Sequence, residues 1–365
     1  MKHAFTDTII EVVEKHFPGK GEKVYKESEL IQYLNFKMKS ANSGSKARGG
    51  FGNIYAVFVL VEDYLKKGYF GKASYDDYDG AQFKDLFDRQ RELPFGAKLQ
   101  NHALNQRMNQ EFKKLFSVCP HTPIIRVPET KRYWINRNLL QIDGKTNIAK
   151  AVIEIVDEYV KTKRSAFEGF ISTCEQLKLA EDKTARDSKK FILSLLEPNI
   201  DARVFEIVSF SILKNYYKEQ TVYFGDSLDS IEEENLKLYK TGRTNANDGG
   251  IDFVMKPLGR FFQVTETTDV KKYFLDIDKL EKFPVTFVIK SDISQKDLLE
   301  MIEKGAKEQF SVTAVVKKYI DCVEEIINID SLTKALDSIE KNGDIDKVLD
   351  EIIVQSKVEF NYDEE

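Results

Sequence analysis

Cysteine is scarce in this sequence of 365 residues: Cys119, Cys174 and Cys322 are an odd number and widely spaced. That pattern excludes a disulfide framework and a four-cysteine zinc site. The four histidines, His3, His16, His102 and His121, are scattered, and Cys119 and His121 lack partner ligands at zinc spacing. A histidine-built metal centre or catalytic triad is therefore not expected. Long apolar runs are also missing. The longest, "IYAVFVLV" at 54–61, is far too short to span a bilayer. The opening "MKHAFTDTIIEVVEKHF" carries acids early and has no apolar signal core, so it predicts an amphipathic helix and a cytoplasmic protein. There is no GxSxG and no GxGxxG at a strand–helix junction. "IDGKTN" at 142–147 echoes half a phosphate loop, but position 139, where the earlier glycine belongs, is Leu139. Neither an internal repeat nor a low-complexity tract is present.

What is present is a soluble, globular composition, 42% hydrophobic and 32% charged, of a length that suggests two domains, with a third as the alternative. Net charge is -5, and its distribution is uneven. Between Ala97 and Lys145 nine basic residues face Glu111, Glu129 and Asp143, a local balance of about +6. From Asp321 onward fourteen acids face four lysines, about -10. A basic middle and an acidic end allow local binding of a polyanion by a chain that is acidic overall; solvated helix faces are the plainer explanation of any single run.

Residues 1 to about 70 are expected to be helical, with the first helix stopping at Pro18. "SELIQYLNFKMK" and "FGNIYAVFVLVEDYLKKGY" predict two more helices. Between them lies "KSANSGSKARGGFGN", 39–53, with Lys39, Lys46 and Arg48 and no acid. Such a segment is either a loop or a backbone that must approach something closely. Residues 97–145 mix helix with an extended piece, and 146–195 are helix-rich up to Pro198. The expected divisions are a mainly helical DNA-recognition region at 1–145, a helical connector at 146–199, an α/β core at 200–320 and an acidic helical segment at 321–365.

After Pro198 the pattern changes. "DARVFEIVSFSILKNYY" is apolar on most sides and predicts a buried helix. "QTVYF", "IDFVM" and "RFFQVT" read as strands, with a polar loop ending in "YKTGRTNANDGG" after the first. "DVKKYFLDIDKLEKF" reads as a helix and "PVTFVIK" as a strand. Strand side chains alternate faces. Phe262 and Val264 therefore share one face of "RFFQVT", and Gln263 and Thr265 share the other with Phe261. A hairpin about the "KPLG" turn brings Asp252 and Gln263 side by side, eleven residues apart in sequence. A carboxylate beside a carbonyl oxygen is a hard oxygen site suited to Mg2+, which can lower the pKa of a bound water and neutralise charge on a phosphate. Asp252 has a structural alternative, closing a turn by accepting backbone hydrogen bonds. Gln263 can be a satisfied edge amide, and Glu206 can pair with Arg203 along its helix.

Asp252, the eleven-residue gap, Gln263-Val264-Thr265 and the helix–strand–strand–strand–helix–strand order resemble the PD-(D/E)XK nuclease superfamily. Within it the chain looks most like a type II restriction endonuclease. The resemblance covers about residues 200–292 and implies an α/β nuclease core with an αβββαβ mixed sheet. It implies Mg2+ held by Asp252 and Gln263, with Glu206 on the opening helix able to join them. It also implies cleavage of double-stranded DNA at a short specific site; two nicks in opposite strands need two active sites, so a homodimer is the simplest arrangement. The family motif ends in lysine, where this chain has Thr265. Lys271 and Lys272, at the start of the next helix, are the candidates to supply that charge, Lys272 first. DNA-contact candidates are Lys46, Arg48, Asn105, Arg107, Arg132, Arg137, Arg243 and Asn245, since Asn reads adenine and Arg reads guanine with paired hydrogen bonds. Two other functions stay open: a structure-specific repair or junction nuclease, and a DNA-binding module with an inactive nuclease fold.

Overall fold

The computed structural model describes residues 2–39, 47–72, 78–96, 99–100, 103–179, 185–197, 200, 202–241 and 251–360. The chain divides into two compact units, Met1–Gly169 and Phe170–Glu365.

The first unit is built on helices. They are α1 (Thr6–His16), α2 (Gly21–Glu27), α3 (Glu29–Met38), α4 (Ala47–Lys66), α5 (Phe83–Glu92), α6 (Met108–Leu115) and the short α7 (Arg137–Leu140). Strands β1 (Ala81–Gln82), β2 (Ile124–Val127) and β3 (Arg132–Ile135) form one small sheet, ordered β1-β3-β2. Strands β4 (Gln141–Ile142) and β5 (Thr146–Asn147) form another. The first, second and third predicted helices are found. The apolar "IYAVFVLV" run is buried on every side of α4, because that helix is the centre of the unit's core. The Gly-rich segment ahead of it is helical from Ala47. Gly50 explains one glycine there: a Cβ at that position would lie 3.0 Å from the Lys37 carbonyl, so α3 and α4 meet backbone to backbone.

Helix α8 (Ala149–Leu179) leads into the second unit, an α/β structure with a mixed sheet. Its elements are α9 (Ala185–Ser194), α10 (Ala202–Tyr217), β6 (Thr221–Phe224), β7 (Glu232–Asn235), β8 (Lys237–Lys240), β9 (Phe253–Lys256), β10 (Arg260–Thr265), α11 (Val270–Lys279), β11 (Val285–Ile289), α12 (Gln295–Gln309), α13 (Thr313–Asp321), β12 (Val323–Ile327), α14 (Ile329–Lys341) and α15 (Ile345–Phe360). The five-stranded sheet runs β12-β11-β10-β9-β8. β8, β9 and β10 form an antiparallel meander, and α11 crosses over to β11, which lies parallel to β10. β12 extends the sheet parallel to β11.

Two expectations are corrected here. The first strand of the sheet is Lys237–Lys240, not "QTVYF": Thr221–Phe224 pairs with Glu232–Asn235 as a separate two-stranded ribbon. β8 is an edge strand that turns only Leu238 fully inward, so its sequence passes for a polar loop. The acidic terminal segment is not wholly helical, because Val323–Ile327 supplies the sheet's fifth strand.

Helices cover both faces of this sheet. On one face α10 sets Phe210 against Phe253 at 5.1 Å and Tyr217 against Phe262 at 6.1 Å, edge to face. α10 is also packed against α14 and α15, so it is buried nearly all round, as its composition predicts. On the other face Tyr273 of α11 meets Phe287 at 5.0 Å, within a core shared by α11, α12, α13 and β11. Phe287 is the register partner of Gln263, so Gln263 and Thr265 belong to the α11 face and Phe262 to the α10 face.

Candidate active site at the end of the sheet

The antiparallel ladder between β9 and β10 closes with the pair Phe253–Phe262. Just beyond it, the Asp252 N–H donates to the Phe262 carbonyl at 2.8 Å. The Asp252 carboxylate oxygen Oδ2 accepts the Val264 N–H at 2.7 Å. The side chain thus fills the place that a strand carbonyl would take in the ladder. The Asp252 carbonyl in turn accepts the Thr241 N–H at 3.1 Å, which ties the end of β8 to the same point. Asp252 and the Gln263-Val264-Thr265 stretch therefore meet as the spacing predicts. The backbone bond that the Asp252 carboxylate accepts is charge-assisted and runs across the hairpin to β10, not within a turn.

Gln263 is not a satisfied edge amide. Its Nε2 donates to the Val264 carbonyl at 3.3 Å, while its Oε1 is buried with no donor among the described residues. A buried acceptor without a donor costs about 1–3 kcal/mol unless something else fills it. Thr265 is buried, and its Oγ1 accepts from the Thr267 N–H and from Lys272 Nζ, each at 3.4 Å. Lys272 stands in the first turn of α11, whose N-cap Asp269 accepts the Lys271 N–H at 3.2 Å. Lys271 and Lys272 are both exposed, and among the described residues it is Lys272 that bonds to Thr265.

Glu206 is placed differently from the expectation. Its Oε1 lies 2.9 Å from Lys240 Nζ, and the two side chains are only 6% and 12% exposed. Lys240 is the register partner of Phe253, so this pair belongs to the α10 face, across the sheet from Gln263 and Thr265. Among the described residues no three His, Cys, Asp or Glu side chains form a metal-holding group.

Two lysines that the sequence does not single out stand at the same end of the sheet. Lys240 is one. Lys290 is the other: its side chain is 4% exposed, with Nζ 3.1 Å from Glu266 Oε1, bonded to the Ile200 carbonyl and 5.7 Å above the Phe205 ring. Buried lysines are uncommon unless paired. The only sequence sign is a lysine closing each strand, in "LKLYK" and "FVIK".

In the first unit the DNA-contact candidates divide. Arg132 donates to the Gly80 carbonyl at 3.2 Å and Arg137 to the Lys72 carbonyl at 2.9 Å. Asn105 accepts from the Tyr133 hydroxyl at 3.4 Å. These three hold loops and the small sheet in place. Trp134 does the same through Nε1 to the Tyr78 carbonyl at 2.6 Å. Arg107 is exposed, at the end of a π-helical turn, Ala103–Arg107, that precedes α6. Lys46, Arg243 and Asn245 lie outside the described residues, as does the side chain of Arg48.

Comparison of the chain with models of protein families, with characterised proteins and with solved structures finds no match in any of the three.

Proposed function

We propose that the second unit is the catalytic core of a Mg2+-dependent deoxyribonuclease of the PD-(D/E)XK type, acting as a type II restriction endonuclease on double-stranded DNA. One observation carries this reading: Asp252, Gln263 with its Oε1 buried and without a donor among the described residues, Thr265 and Lys272 come together at one end of the β9–β10 hairpin. The support from topology is the order α10-β8-β9-β10-α11-β11, read with the β6–β7 ribbon as an insertion between α10 and β8: three antiparallel strands followed by a helical crossover to a parallel one.

The residues fit a hard cation. Gln263 supplies a buried carbonyl oxygen in need of a positive partner, and Asp252 supplies the negative charge beside it. Those two residues would hold the ion, whose chemistry there is Lewis acidity toward a phosphate and activation of water. Glu206 is engaged by Lys240 and is not needed for this pair. Lys272 brings an ammonium to the Thr265 position, where the motif lysine is expected. There it orients the attacking water and offsets negative charge growing on the phosphate. Exposed basic residues of the first unit, Arg107 among them, hold the DNA backbone. Cutting both strands takes two such sites, which a homodimer provides.

The engagement of Asp252 by a backbone amide and of Glu206 by Lys240 favours a second reading, a DNA-binding module that does not cut. Incubation with supercoiled plasmid and Mg2+ separates these readings. Discrete bands, abolished by EDTA, are the expected result. Slow random nicking means a repair-type nuclease, and retention of DNA without cleavage means the inactive module.

A further inference from the structure

The π turn Ala103–Arg107 runs without a break into α6, since Arg107 keeps a helical backbone at the junction. The side chains of this one helical segment divide by face. Ala103, Leu104, Met108 and Phe112 are buried in the core of the first unit. The half-buried polar side chains beside them hold the protein to itself. Asn109 accepts the Ile124 N–H at 3.0 Å and donates to the Ile124 carbonyl at 2.7 Å. Glu111 is the one acid of the segment, and it turns toward α3 and α4. There it meets Lys37 Nζ at 2.7 Å, Asn53 Nδ2 at 2.6 Å and the Tyr33 hydroxyl at 3.4 Å.

The outer face is different. Gln106, Arg107, Gln110, Lys113 and Lys114 are all exposed. At about 3.6 residues per turn these five occupy roughly a third of the helix circumference. The stripe is basic and free of acid, because Glu111 is drawn to the inner side by Lys37. Its two amides stand one turn apart, with Gln110 Nε2 3.5 Å from Gln106 Oε1. An acid-free basic face is complementary to a phosphate backbone. The cations alone would hold DNA of any sequence. The glutamines add nothing to that attraction, but a glutamine amide pairs with adenine through N6 and N7 in the major groove. An α-helix with its side chains is about 10–12 Å across, and the groove is about 12 Å wide. π turns are rare within helices and frequent at functional sites.

We infer that this face is the sequence-reading helix: it enters the DNA major groove, where Gln106 and Gln110 each read an adenine and Arg107, Lys113 and Lys114 hold the flanking phosphates. The inference rests on the proposal that the chain binds double-stranded DNA, and it deepens that proposal by naming the side chains that choose the sequence. One turn carries Gln110 about 6 Å beyond Gln106, and successive base pairs are about 3.4 Å apart, so the two adenines lie within about two base-pair steps of each other. Both glutamines are exposed and alanine is the better helix former, so truncating either one leaves the fold in place.

Selection of bound duplexes from a pool with a randomised central stretch, by the full chain without Mg2+, tests this. The wild type is expected to enrich one motif that contains two A·T pairs at that spacing. Gln106→Ala and Gln110→Ala should each lose the preference at one of these pairs, by about 10- to 100-fold, with an unchanged salt slope. Lys113→Ala and Lys114→Ala should keep the preference, bind every duplex more weakly and make the slope shallower by about 0.9 each. The inference is overturned if both glutamine variants select the wild-type motif with full preference, or if the wild type binds duplexes without preference. Either outcome leaves DNA binding itself intact. A wild type that retains no duplex overturns the DNA reading, and this inference with it. Lost preference in the glutamine variants of a chain that does not cut plasmid keeps the inference and removes the nuclease.

Discussion

Lys272 Nζ lies 3.4 Å from Thr265 Oγ1, so a lysine seven residues further along the chain reaches the position that the nuclease motif assigns to lysine. A lysine in the first turn of a helix forgoes about 0.3–1 kcal/mol of favourable dipole interaction, since that end favours acids. The turn is nevertheless well capped by Asp269. Lys271 shares the helix end and the charge but not the reach. Lys272→Met should therefore lower single-turnover cleavage at saturating enzyme by about two orders of magnitude, the size of a lost electrostatic donor, while Lys271→Met cuts normally. Normal rates for both variants would return the burden to a second ion.

Asp252 has two duties that one substitution can separate. Its Oδ2 accepts the Val264 N–H, and its charge is what a cation would use. Asp252→Asn keeps an oxygen for the amide and removes the charge. Its unfolding free energy should stay within about 1 kcal/mol of the wild type, since the backbone bond is kept. It should bind DNA as well, and not cut. Asp252→Ala should also lose cleavage, and should lose about 1–3 kcal/mol of stability because the amide is left unpaired. Retained cleavage by Asp252→Asn removes this residue from the site.

The first unit makes a salt prediction. Each phosphate contact contributes about -0.9 to the slope of log affinity against log salt. Arg107 is exposed, so Arg107→Ala should make the slope shallower by about one contact. Arg132 instead holds the Gly80 carbonyl, and its loss should show first as a lower melting temperature. A slope unchanged in Arg107→Ala moves the interface elsewhere.

The sequence makes the meeting of Asp252 with the Gln263-Val264-Thr265 stretch legible because β10 and the strand that Asp252 precedes are short, strongly apolar and joined by a tight turn. In that setting period-two alternation fixes which residues are neighbours. β8 is not legible. An edge strand needs one inward apolar residue, and Leu238 between Lys237 and Tyr239 gives too weak an alternation to stand out. The pairing of Glu206 is hidden for a related reason. A local partner, Arg203, is one turn away, whereas Lys240 is far along the chain and comes into reach only when α10 lies on the sheet. Side chains that hold loops, such as Arg132 and Arg137, look the same in sequence as side chains that reach for bases. Only their backbone acceptors, Gly80 and Lys72, tell them apart.

The position of Lys272 depends on how α11 is seated, and Gly305 sets that seat. A Cβ on Gly305 of α12 would lie 2.2 Å from Val270 Cγ2 and 3.0 Å from Val270 Cβ, at the first residue of α11. Two effects oppose each other in Gly305→Ala. Alanine gains about 1 kcal/mol over glycine inside a helix. Overlap with a β-branched side chain, which has one preferred rotamer in a helix, costs about 1–3 kcal/mol. The overlap should win, because both approaches are to atoms close to the backbone. Gly305→Ala is expected to lower the unfolding free energy by about 1–2 kcal/mol and, by shifting the start of α11, to reduce cleavage as Lys272→Met does. In a Val270→Ala background the 2.2 Å overlap is gone, and the 3.0 Å approach to Cβ that remains needs a shift of only a few tenths of an ångström, so the helix gain should prevail. The same glycine substitution should then stabilise by up to about 1 kcal/mol. Denaturant unfolding of the four proteins in this double-mutant cycle measures the change of sign. If Gly305→Ala has the same effect in both backgrounds, Val270 is not what the glycine makes room for.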